Sequence, residues 1–150
     1  MPGRWGKRIL LALAVLLGIA LLTAATVVGL TERTLRRRYQ IAPDSITIPT
    51  DSAALARGHH LATAIGKCVD CHGEDLGGGM MDLGPVGRFP ALNLTGGRGG
   101  VGPLSDADWV RAIRHGVDPR GRPLLLMPSE EYHRMSDDDF AALVGYAKSL

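Results

Sequence analysis

The sequence predicts an all-α fold, three or more short helices in one modest domain preceded by a single membrane-spanning helix. Three observations predict it. Residues 9–30 form an apolar run without a charge. Ser105 and Ser136 each open a stretch with apolar residues at helical spacing. Between the first helix and these two, residues 73–103 hold eleven glycines and three prolines, a composition that leaves no room for a regular sheet. A chain of 150 residues that gives its first 38 to a membrane segment has only a thin core of its own.

The apolar run comes first. At about 1.5 Å per helical residue it spans roughly 33 Å, enough to cross the hydrocarbon core of a bilayer. It exceeds the roughly 7 to 15 apolar residues of a secretory signal, so an uncleaved anchor over residues 1–38 is expected. Arg4, Lys7 and Arg8 precede it and Arg33, Arg36, Arg37 and Arg38 follow it, so the basic flanks do not choose an orientation. The overall charge of +2 conceals this division, since Glu32 is the only acid among those residues and the remainder is mildly acidic. A nucleic-acid partner is therefore excluded, because that needs a basic face on the folded domain. The basic clusters belong against lipid headgroups.

Residues 39–51 contain Pro43 and Pro49 and no helical periodicity, which reads as an extended linker. The domain then occupies residues 52–150. Its first helix is expected from Asp51 or Ser52 to Ile65, with Leu55, Ala62 and Ile65 on one side and Gly66 as terminator. Gly58 in its middle costs about 1 kcal/mol relative to alanine, which a close helix crossing would justify.

The only two cysteines follow, in Cys68-Val69-Asp70-Cys71-His72. Two residues cannot make a disulfide framework or complete a four-cysteine zinc site. The C-x-x-C-H spacing is that of covalent haem attachment, in which both thiols add to porphyrin vinyl groups and the next histidine ligates the iron. A thioredoxin-like pair would need a βαβ pattern, and a zinc knuckle further ligands; neither is present. One haem c per chain, held by Cys68 and Cys71 with His72 as proximal ligand, is the expectation.

For the opposite side of the iron the candidate is Met127, in Leu124-Leu125-Leu126-Met127-Pro128. Pro128 pushes Met127 out of helical conformation, so this segment should be an extended strap. A methionine after three leucines is ordinarily core, and only the haem motif makes it a ligand candidate. Met80 and Met81 fall soon after His72 in the glycine-rich region. Met135 is placed to staple against Phe140, as Leu104 is against Trp109. His59, His60, His115 and His133 read as solvated surface residues, and Asp137 to Asp139 as helix N-terminal charge. The second helix ends at His115 and Gly116, and Phe140, Leu143, Val144 and Ala147 mark the buried face of the third. A thioether ligand raises the potential, and a six-coordinate iron has no place for oxygen or peroxide, so electron transfer is expected rather than catalysis.

These residues resemble the mitochondrial-type (class I) cytochrome c domain over roughly residues 50–150, and more closely the cytochrome c subunits of bacterial membrane dehydrogenases. Arg57-Gly58, Cys68 to Gly73, Asn93-Leu94-Thr95, Gly102 to Gly116, Met127-Pro128 and Met135 to Asp139 carry the resemblance. It implies a fold wrapped round the haem, a crossing of the first and last helices at Gly58 against Leu143 and Tyr146, and a loop proline carbonyl, from Pro85 or Pro90, holding the His72 ring. It also implies attachment outside the bacterial cytoplasmic membrane, hence a single-pass protein with a periplasmic haem domain. Partners would be a dehydrogenase, an oxidase or a respiratory complex. A single attachment site departs from the multi-haem dehydrogenase subunits and favours a stand-alone carrier. A fixed subunit, and a haem sensor or peroxidase with an open sixth site, are the rival readings.

Overall fold

The computed structural model describes residues 3–150, in two compact units that divide between Arg38 and Tyr39. Met1 and Pro2, at the head of the expected anchor, lie outside the described residues. The first unit is one helix, α1, Arg4–Arg36, long and apolar enough to cross a membrane and with no side chain buried. Three of its hydroxyls bond within the helix. The Thr23, Thr26 and Thr34 hydroxyls donate to the carbonyls four residues earlier, at 2.8 to 3.0 Å.

The second unit, Tyr39–Leu150, begins with the segment expected to be a linker. It has no regular secondary structure, yet it lies along the domain instead of standing off it. The Tyr39 N–H donates to the Gly121 carbonyl at 2.8 Å, Arg111 Nε donates to the Ile41 carbonyl at 3.1 Å, and Ile46 and Ile48 pack on the core.

Helix α2, Ser52–His60, starts where expected because the Asp51 carboxylate accepts from the Ala54 N–H. It passes without a break into a π turn, Leu61–Ile65, closed by Gly66 N–H donating to Leu61 C=O at 2.7 Å. Gly66 itself stays right-handed. The left-handed residue is Lys67, at φ 50°, and it turns the chain into α3, Cys68–His72.

The expectation of no sheet is corrected. Strands β1, Gly79–Asp82, and β2, Arg88–Ala91, pair antiparallel in the register Met80 with Pro90 and Met81 with Phe89. The glycine-rich composition supplies the turn: Gly84 and Gly87 both have positive φ, and a short 3-10 turn, Gly84–Val86, joins the strands. Pro90 is tolerated in so short a two-stranded ribbon, where each strand is an edge.

Helix α4, Asp106–His115, and helix α6, Asp137–Lys148, begin at the serines that mark them: the Ser105 and Ser136 hydroxyls accept from the N–H groups of Asp108 and Asp139. A further short helix, α5, Ser129–His133, lies where a loop was expected. The core gathers Leu61, Leu76, Trp109, Val110, Tyr132, Phe140, Leu143 and Val144. Gly58 is buried at the crossing of α2 and α6, facing Ala142 and Tyr146; Ala142 occupies the place expected of Leu143.

Arg114 belongs to this framework. Its side chain is 5% exposed, donates to Asp137 at 2.7 Å and to the Met135 carbonyl at 2.9 Å, lies 3.5 Å from Asp44, and covers the Phe140 ring. One buried guanidinium thus ties residues 39–51 to the start of α6.

Candidate functional site

The left-handed turn at Lys67 sets the cysteines on a single helical turn, both half-buried and both free thiols. Burial pushes the Cys68 thiol above its ordinary range, partly offset by a hydrogen bond with Tyr132. Cys71 faces the hairpin, with its sulfur 4.0 Å from that of Met81. The hairpin approaches so closely that a Cβ on Gly79 would collide with the Cys71 carbonyl oxygen. Met81 is therefore placed beside the second cysteine.

His72 ends the turn. Its Nδ1 lies 2.8 Å from the Leu92 carbonyl oxygen, which requires the Nδ1–H tautomer and leaves the Nε2 lone pair available for a metal. The carbonyl that orients the ring thus belongs neither to Pro85 nor to Pro90. It comes from the residue just beyond β2, and the hairpin delivers it: strand pairing fixes Ala91 opposite Gly79, and Leu94 N–H donates to the Leu76 carbonyl at 2.8 Å.

Met127 is half-buried and packs on the core cluster. The strap holding it is a tight bend, not an extended run. Pro128 has φ −79° and ψ 57°, and Ser129 N–H donates to the Met127 carbonyl at 2.8 Å, an inverse γ-turn that leads into α5. Leu125 and Leu126 are 66% and 46% exposed on the same strap. One and a half turns on, Tyr132 is 3% exposed, and its hydroxyl donates to the Gly66 carbonyl at 2.6 Å. Burial first, and then the neighbouring thiol, pushes the phenol well above its usual range. Sequence reasoning missed Tyr132 and Leu92. Nothing local marks either residue.

The histidines depart from expectation at one place. His115 is half-buried, stacks edge-on with His133 at 5.9 Å, and has Nε2 3.7 Å from Asp44; burial lowers its pKa. His133 ends α5 instead of lying in a loop.

A family model described as cytochrome c oxidase, cbb3-type, subunit III, matches residues 53–146. The chain belongs to this family of c-type cytochrome domains. It is 37% identical over 102 residues to the gluconate 2-dehydrogenase cytochrome c subunit of Pantoea cypripedii, covering 64% of this chain and 23% of that protein. It is 30% identical over 102 residues to the cytochrome c subunit of the quinone alcohol dehydrogenase of Gluconobacter oxydans (strain 621H), covering 64% and 21%. The chain thus spans less than a quarter of each of these relatives.

The residues of this cytochrome domain fit the haem that its family implies. Two thiols share one turn, and the adjacent imidazole is oriented from its far nitrogen. The Trp109 Nε1 donor is buried without an acceptor among the described residues, a gap of the kind that a ligand carboxylate fills. Apolar Met80, Leu92, Leu125 and Leu126 stay exposed on the hairpin side and the strap, although the domain is short of core.

Proposed function

We propose that this chain is a membrane-anchored, single-haem c-type cytochrome that passes one electron at a time between a membrane dehydrogenase or respiratory complex and an acceptor. Cys68 and Cys71 would hold the haem covalently, and His72 and Met127 would ligate its iron. α1 is the single span, and the haem domain lies on the periplasmic side of a bacterial cytoplasmic membrane. When bound, the haem supplies an iron that alternates between ferric and ferrous states.

The protein's own groups do the rest. The Leu92 carbonyl keeps the His72 ring in one tautomer and one orientation. The Met127 thioether would favour reduced iron and, as a second protein ligand, leave no place for oxygen or peroxide, so the domain carries electrons and is not itself an enzyme. The anchor keeps the domain near partners in the same membrane, which raises their effective concentration without added contact.

The orientation of His72 by Leu92 carries the reading, because a surface histidine has no need of a carbonyl held in place by a strand pair. A spectroscopic redox titration of the purified chain tests it. A single one-electron transition at relatively high potential, with no rapid carbon monoxide binding to the reduced protein at neutral pH, is expected; rapid binding would favour a sensor or peroxidase. A second reading, a fixed subunit of a membrane dehydrogenase, is favoured by the names of the relatives. Co-purification of a dehydrogenase partner in mild detergent would select it, and a lone monomer would select the mobile carrier.

A further inference from the structure

Two parts of the site are far apart in sequence and must stay in register: the turn that carries Cys68 and His72, and the strap that carries Met127. The first is reached through Lys67, a left-handed non-glycine residue whose conformation costs about 1 kcal/mol and persists only if its neighbours hold it. The second is a bend with local backbone bonds, Met127 to Ser129 and Pro128 to Glu131, whose strap is tied to the end of α4 where the Leu124 N–H donates to the Gly116 carbonyl at 2.7 Å. One buried side chain joins them. Tyr132, on α5, donates to the Gly66 carbonyl, two residues before Cys68, at 2.6 Å, and its ring lies so close that a Cβ on Gly66 would come within 3.1 Å of Cε1.

We infer that Tyr132 is a positioning residue that locks the Met127 strap to the cysteine turn and so sets how firmly Met127 is held on the iron. The inference rests on the reading of Met127 as the distal ligand. Loss of the hydroxyl would leave the Phe ring packed but free the strap to lift, and an external ligand would then compete better for the sixth position.

The test is imidazole binding to the ferric, haem-loaded full chain in detergent, followed by absorption. Tyr132→Phe should bind imidazole about five-fold more tightly, the effect of one buried hydrogen bond, with haem still covalently attached. Gly66→Ala, which displaces the ring but keeps the hydroxyl, should shift affinity in the same direction. Ser136→Ala, which destabilises the domain from a helix cap elsewhere, should leave it unchanged. Equal affinity in Tyr132→Phe and the parent overturns the inference, as does an equal gain in Ser136→Ala, which would make Tyr132 merely structural. Failure of the underlying reading looks different: the long-wavelength methionine-to-ferric-iron band would be missing from the parent protein, or would survive in Met127→Leu, and either result overturns both.

Discussion

Replacing Gly58 by alanine sets two opposing effects of known size against each other. Helix propensity alone would favour alanine by about 1 kcal/mol. The added Cβ, however, would stand 2.7 Å from both the Ala142 carbonyl carbon and Tyr146 Cβ, and nearer still to the Ala142 carbonyl oxygen. Carbon atoms pack at roughly 3.5 to 4.0 Å, so α2 and α6 must separate by about 1 Å along much of their contact. The obstacle is backbone and a Cβ, neither of which can rotate away. Overpacking of this kind costs about 1 to 3 kcal/mol, and rigid neighbours place Gly58→Ala at the upper end. The net expectation is a loss of about 1 to 2 kcal/mol, or roughly 5 to 10 °C in melting temperature. Denaturant titration of the full chain in mild detergent, followed by near-ultraviolet circular dichroism, measures it. A Gly58→Ala protein as stable as the parent, or more stable, would refute the close crossing.

Met127→His should keep the iron six-coordinate and lower the reduction potential on the order of 0.1 V, read by redox titration; an unchanged potential would remove Met127 from the iron. Arg114→Ala should cost about 2 to 3 kcal/mol in the same unfolding assay and speed proteolysis within residues 39–51, because it frees Asp44 as well as Asp137. Acid should act in two stages. Burial lowers the His115 pKa in the folded state, so the unfolded chain binds the extra proton and stability falls as pH drops below about 6.5; His115→Gln should abolish this first stage. Asp139, held low by the hydrogen bond from Arg57, and Asp108, held low by that from Ser105, contribute stability above about pH 4 that is lost below it, and Asp139→Asn should reduce the second stage.

What was legible in the sequence is what local physics decides. Ser105 and Ser136 cap the helices they were expected to cap, because a capping bond depends on four consecutive residues. The cysteine turn and the buried Gly58 were legible for the same reason: each is a pattern within a single helix. The hairpin was not, since residues 73–103 combine weak strand propensity with breakers, and β1 and β2 form only because each completes the other. The acceptor for His72 was sought at a proline and proved to be Leu92, because a carbonyl's position depends on where the hairpin sends the chain, not on the side chain beside it. Nothing local marks Arg114 either, because the return of residues 39–51 and α6 from elsewhere in the chain is what buries it. The Tyr132 bridge spans 66 positions in sequence, and no local signal announces a bond of that range.

The intact mass of denatured protein, matured in a host competent for c-type haem attachment, bears most directly on the proposed chemistry. The polypeptide should carry the mass of one haem, retained through denaturation, localised by peptide mapping to the segment holding Cys68 and Cys71, and absent when both are serine. A bare polypeptide in which both thiols take up an alkylating agent would contradict the proposal.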